Sequence, residues 1–140
     1  MGFEAGKGQV FKVDNSAGTL TDISAFLTDV GFPREVDTEE VTTLGKNAKV
    51  YIVTLTDATI SIEGKWDGAA SALDVVLSGI LGQAATVSFE YGPGGSTTGD
   101  VKYTGEAILT SYEPSGSVGG AVEFSAEFQV SDAVTRSTYA

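Results

Sequence analysis

Apolar residues at every second position constrain this chain more than any other feature. From Ala58 to Trp66, residues Ala58, Ile60, Ile62, Gly64 and Trp66 fall on one side of an extended backbone and Thr59, Ser61, Glu63 and Lys65 on the other. The pattern recurs from Val122 to Val130, with Val122, Phe124, Ala126, Phe128 and Val130 inward and Glu123, Ser125, Glu127 and Gln129 outward. Strands of this kind have one wet face and one that must be covered, so the chain is expected to be mainly β. Further strands are expected at Gln9 to Val13, Val30 to Val41, Lys49 to Leu55, Thr86 to Tyr91 and Val101 to Tyr112. Glycine-rich turns separate several of them, as at Gly92-Pro93-Gly94-Gly95 and Ser115-Gly116-Ser117-Val118-Gly119-Gly120.

One stretch departs from the alternation. Between Ala69 and Leu81, the residues Leu73, Val76, Leu77, Ile80 and Leu81 recur at helical spacing and make a single apolar stripe. Asp67 is placed to cap this helix and Gly82 to close it. A lone amphipathic helix cannot cover its own stripe, so it should pack on the sheet or plug one end of a sandwich or barrel. A shorter helical turn is expected at Ile23 to Leu27. At 140 residues the chain should form one domain, 1–140, ending in a C-terminal tail at 133–140.

The segment from Phe32 to Tyr51 reads as an arm. Four carboxylates, Glu35, Asp37, Glu39 and Glu40, stand within six residues, and Lys46 and Lys49 follow. Val36, Val41, Thr42 and Thr43 nevertheless keep the β-branched character of extended chain. So polar an arm is expected to be poorly ordered in a free subunit and to act in assembly, since long connections in compact domains are usually binding elements or disordered.

Composition excludes much chemistry. With no histidine and no cysteine, neither a Ser-His-Asp nor a Cys-His site can be built, and a zinc site would rest on carboxylates alone. No cofactor is expected. Carboxylate pairs remain, but Glu123 and Glu127 lie roughly 13 Å apart along one strand, too far for glycosidase geometry. The loop from Gly92 to Gly99 lacks the lysine and following helix of a phosphate cradle, and Asp14-Asn15-Ser16-Ala17-Gly18 reads as an Asx-rich turn before it reads as a calcium loop. Trp66 and Tyr91 suit a sugar-binding sandwich only if they are not core residues. Nineteen acidic against eight basic residues give a net charge of −11, which opposes binding to nucleic acid or anionic membranes. The charge is uneven: residues 14–40 hold seven acids and only Arg34 as a base, and residues 103–132 hold five acids and none. Met1 to Lys7 has neither the charged nor the apolar region of a secretory signal, and Gly6 stands where myristoylation needs Ser or Thr, so a cytoplasmic product is expected.

The order of segments along the chain resembles the major tail tube proteins of long-tailed bacteriophages. The resemblance is carried by Asp22-Ile23-Ser24-Ala25-Phe26-Leu27, Val30-Gly31-Phe32-Pro33-Arg34-Glu35-Val36-Asp37 and Asp57-Ala58-Thr59-Ile60-Ser61-Ile62-Glu63-Gly64. It continues through Val87-Ser88-Phe89-Glu90-Tyr91-Gly92-Pro93-Gly94-Gly95-Ser96, Gly105-Glu106-Ala107-Ile108-Leu109-Thr110-Ser111-Tyr112 and Val122-Glu123-Phe124-Ser125-Ala126-Glu127-Phe128. The resemblance implies a β-sandwich or half-barrel with one packed helix, forming hexameric rings that stack into a tube in the virion tail. It implies as partners other copies of the chain and further tail proteins (tape measure, tail terminator, distal tail), with DNA passing through without specific binding. The arm, Glu35 to Lys49, maps onto the loop that touches a neighbouring ring or subunit. Outward acids such as Glu63, Glu123 and Glu127 would face the lumen and repel phosphate. Contractile-tail and secretion tubes are related alternatives, as are a monomeric carbohydrate-binding module and a carboxylate enzyme.

Overall fold

The two strands with the cleanest alternation lie side by side. The structure, a computed structural model, describes residues 5–68 and 73–140. Strand β5 (Tyr51–Lys65) pairs antiparallel with β8 (Glu123–Thr138), with Ile60 opposite Phe128 and Ile62 opposite Ala126, so their apolar rows coincide. The remaining elements are β1 (Val10–Asp14), β2 (Leu20–Asp22), β3 (Leu27–Gly31), β4 (Arg34–Glu40), helix α1 (Leu73–Ile80), β6 (Val87–Gly92) and β7 (Val101–Ser115).

The sheet order is β2-β1-β6-β7-β8-β5-β3, and β4 also pairs with β5. Its two end strands, β2 and β3, are joined only by Ile23 to Phe26. Four residues reach about 14 Å at most, so the sheet must curl until its ends nearly meet. The Ile23 amide donates to the Phe11 carbonyl (3.2 Å), and the Phe11 amide donates to Ser24 Oγ (2.8 Å), which ties the turn across the gap. Phe11 and Phe128, three strands apart in the order, meet inside with ring centroids 6.0 Å apart. The result is the expected half-barrel, filled by Phe11, Phe89, Phe128, Ile60 and Ile62. The short helical turn expected at Ile23 to Leu27 is a 3-10 turn, Ser24–Phe26.

Helix α1 presents Leu73, Val76, Leu77 and Ile80 to this core. Leu81, expected in the same stripe, is exposed because the helix ends at Ile80 and Gly82 turns the chain at φ 82°. The expected first turn, 69–72, lies outside the described residues. A relay of hydrogen bonds holds the helix to the sheet. Trp66 Nε1 donates to Tyr112 Oη (2.8 Å), Tyr112 donates to Asp74 Oδ1 (2.8 Å), and Ser78 Oγ donates to the same oxygen (3.1 Å). The Tyr112 bond holds the Asp74 carboxyl below its ordinary range, against some desolvation. Burial, helped by the bond to Asp74, pushes Tyr112 up to about 12.

Several expected boundaries shift. The stretch Val30 to Val41 breaks at Phe32 and Pro33 into β3 and β4, while Lys49 to Leu55 and Ala58 to Trp66 fuse into β5. Residues 133–140 are not a loose tail: β8 runs to Thr138 against Val101, and the Tyr139 hydroxyl donates to Glu90 Oε2 (3.0 Å).

Two substitutions probe this scaffold. Gly64 carries no side chain because β3 crosses it closely, and a Cβ there would sit 1.9 Å from the Phe26 carbonyl oxygen. Gly64→Ala should therefore lower stability by about 2 kcal/mol or more in chemical denaturation. Tyr112→Phe removes the partner of both Trp66 and Asp74 and should cost about 1–3 kcal/mol. A raised folded pKa gives stability that is full below the unfolded value of 10.0 and is lost as pH climbs toward about 12. The stability gap between wild type and Tyr112→Phe should accordingly shrink from pH 10 upward.

Candidate assembly surfaces

β4 and the first half of β5 stand clear of the barrel as a two-stranded arm. All residues from Pro33 to Asp57 are exposed. Directly opposed residues share a face of a sheet, so the register sorts the arm into two sides. Arg34, Val36, Thr38 and Glu40, opposite Ala58, Thr56, Val53 and Tyr51, lie on the side that Ala58 takes into the core. Glu35 and Glu39, opposite Asp57 and Ile52, lie on the other side with Asp37. One side is thus acidic and the other carries Val36, Val53 and Tyr51, which are 47%, 67% and 52% exposed. Sequence reasoning saw only the polarity of this arm. Its apolar side becomes visible once the polar strand β4 is known to be the partner of Tyr51 to Thr56.

Hydrogen bonds continue the pairing of the arm beyond β4. The Val41 amide donates to the Val50 carbonyl (2.8 Å), and the Val50 amide donates to Thr42 Oγ1 (2.9 Å). Gly45 supplies the positive φ of 87° needed in the tip. Lys46 and Lys49 sit in this tip with no carboxylate partner among the described residues.

At the root of the arm, β5 and β8 part. Asp132 adopts a left-handed φ of 76° within an irregularity of β8, after which β8 follows β7 alone. Gln129 Nε2 spans the apex, donating to Asp57 Oδ1 (2.7 Å) and to the Ala58 carbonyl (3.1 Å). Beyond it opens a cleft of 670 Å³ lined by residues that include Arg34, Val36, Asp57, Asp132 and Val134. The Arg34 guanidinium is stacked 4.8 Å from the centroid of the Tyr103 ring.

The sheet has one covered face and one bare face. Glu63, Glu123 and Glu127 all point to the bare one, opposite Ser125, Lys65 and Ser61. Register adds Asp29, opposite Glu63, and Glu113, opposite Ser125, which sequence reasoning did not single out. The only base in these rows, Lys65, lies 2.5 Å from Glu123, an exposed pair that contributes little to stability.

The other candidate sites are accounted for locally. Tyr91 is buried with its hydroxyl on Gln9, and Trp66 is half-buried with its N–H on Tyr112. Asn15 Oδ1 accepts the Ala17 and Thr19 amides, which makes Asp14 to Gly18 an Asx turn. The loop after β6 leads into β7 and not into a helix. Among the described residues no group of three or more carboxylates is placed to hold a metal.

A family profile described as phage tail tube protein matches residues 4–136. The chain belongs to the phage tail tube protein family. Solved structures share the tail tube fold. A protein in the virion of a native gene transfer agent particle is 20% identical, covers 97% of this chain and 100% of its own, and superposes with a TM-score of 0.79. One from the SPP1 tail tube is 16% identical, with 97% and 80% coverage and a TM-score of 0.76. One from the baseplate of an anti-feeding prophage is 14% identical, with 99% and 98% coverage and a TM-score of 0.72. No curated protein matched the sequence.

The left-handed residue at the fork of this tail tube protein yields a local test. Asp132→Gly should leave stability nearly unchanged, whereas Asp132→Val should cost about 1–2 kcal/mol, read from the thermal midpoint.

Proposed function

We propose that six copies of this tail tube protein close into a ring, that rings stack into a hollow tube, and that the bare acidic sheet face lines the bore. The observation that carries the reading is a family match over residues 4–136 on a chain with an external arm and a one-sided acidic sheet. A related gene transfer agent tail was determined with C6 symmetry, which supports the number six. Glu63, Glu123 and Glu127, with Asp29 and Glu113, repel phosphate, so DNA slides past without being held. The arm, with Glu35, Asp37, Glu39, Glu40, Lys46 and Lys49, contacts a neighbouring copy. The role is structural and not enzymatic, it is exercised in the virion tail after assembly in the host cytoplasm, and other tail proteins bind at the two ends of the tube.

Negative-stain electron microscopy of concentrated protein, or of virions, should show tubes of uniform width; their absence under every condition would sink the reading. Deleting Asp37 to Asn47 should spare the core, since nothing in that stretch is buried, and should stop tube growth. Glu123→Lys together with Glu127→Lys should still give tubes, but tubes that bind DNA at low salt and phage that eject it slowly. Unchanged ejection, or tight DNA binding by wild-type tubes, would move the bore to another face.

A further inference from the structure

We propose that Arg34 and Gln129, set on the two faces of the arm where it leaves the barrel, are positioning residues that fix the angle of the arm and, through it, the rotation from one ring to the next. Only the second half of this inference rests on the tube reading above; the first half concerns the single subunit.

The first observation is how little supports the arm at its root. β8 leaves β5 past Gln129, and beyond that fork the arm is a two-stranded ribbon, the most strongly twisted and least supported form of sheet. On the side of β8 the cleft of 670 Å³ separates the two prongs, so close packing does not brace the ribbon there. Leu44 in the tip lies ten residues from Arg34, about 30 Å at strand rise, so a tilt of about 10° at the root carries the tip about 5 Å. An arm that must meet a second copy at a set place therefore needs its angle fixed at the root.

Side-chain contacts on both faces of the ribbon supply that. On the core side Arg34 lies opposite Ala58, and its guanidinium stacks 4.8 Å from the centroid of the Tyr103 ring and 5.8 Å from that of Phe32. The platform beneath it is itself wedged in place: Phe32 meets Phe89, Tyr91 and Tyr103 edge-on, with ring centroids 5.9, 6.1 and 5.5 Å away. Arg34 makes no ion pair among the described residues, so ring faces and not a carboxylate orient its planar head. On the bare side Gln129 of β8 reaches across the fork and donates to Asp57 Oδ1 (2.7 Å), and Asp57 stands opposite Glu35. Its Nε2 also donates to the Ala58 carbonyl (3.1 Å), which holds the amide against β5. One contact restrains each face, so the ribbon cannot tilt either way without breaking the stack or the amide bond.

The chain has no cysteine, so spin labels can be placed at chosen sites. Val41→Cys on the arm and Thr135→Cys on the other prong, both exposed, carry the labels, and pulsed EPR reads their separation in the free subunit. With the root intact the distance distribution should be narrow. Arg34→Ala together with Gln129→Ala should broaden it or shift its centre by about 3 Å or more at a near-native unfolding midpoint. Arg34→Ala alone, at an exposed position, should give a smaller change of the same kind and serves if the double variant does not fold. Tyr103→Phe, which keeps the ring, should leave the distribution as it was. An unchanged distribution in the double variant overturns the inference, and so does a change with Tyr103→Phe as large as that with Arg34→Ala. Unlabelled tubes of the double variant, imaged by cryo-electron microscopy, should show a rotation per ring that differs from wild type or varies along the tube. Wild-type rotation despite a changed arm angle overturns the second half. Absence of tubes from the wild-type chain overturns the tube reading, while the EPR result still decides the first half.

Discussion

The ladder between β5 and β8 is the interaction on which the rest depends. From Thr59 to Lys65 it holds the two alternating strands in the one register that puts Ile60, Ile62, Phe124, Ala126 and Phe128 on the same side. A slip of β8 by one residue would turn Phe124, Ala126 and Phe128 outward and Glu123 and Glu127 inward. The ladder also ends where it must. At Asp132 the backbone takes a left-handed step, β8 leaves with β7, and β5 continues without it into the arm. One continuous strand is therefore core at one end and fully exposed at the other. Any strain on the arm reaches the barrel through hydrogen-bonded backbone and not through a flexible hinge.

Closure of the barrel depends on chain connectivity more than on a closing ladder. β2 and β3 are held near one another by the four residues from Ile23 to Phe26, while the seam between β1 and β3 stays unpaired over a gap of 430 Å³. Ser24 fills part of the missing ladder by accepting the Phe11 amide. At the opposite end of the strands from the arm, the barrel is stoppered by α1, whose position is set by the Trp66, Tyr112 and Asp74 relay. That relay places Val75 and Leu81 on the outside of the stopper, so the stability of the core and the shape of the outer end are set by the same few contacts.

Strands that bury one face were legible in the sequence, because burial enforces alternation; Ala58 to Trp66 and Phe124 to Val130 are examples, while Val122, expected inward, precedes β8 and is exposed. Two stretches without such an alternation were not legible. The end of β8, Ser131 to Thr138, has no apolar period and is extended only because β7 offers it a register, from Thr104 opposite Thr135 to Val101 opposite Thr138. β2 has three residues, too few for any period. The apolar run Tyr51-Ile52-Val53 was read correctly as strand, yet its exposure depends on its partner being the polar β4, which no local pattern reveals. Glu63, Glu123 and Glu127 were found from alternation alone. Asp29 and Glu113 were missed because they join those acids only across strands, where register and not spacing decides.

Electrostatics and apolar contact divide the work of such a subunit. With a net charge of −11, copies brought together repel one another, and screening limits the repulsion to about 8 Å at physiological ionic strength. Exposed ion pairs return little under those conditions, so cohesion must come from surface whose contribution does not depend on charge. The arm separates the two demands by register. Its acidic side continues the bare sheet face, and its other side continues the core face and leaves Val36, Val53 and Tyr51 in water. A single alternating strand pair thus carries an acidic side and an apolar side without a separate element for either.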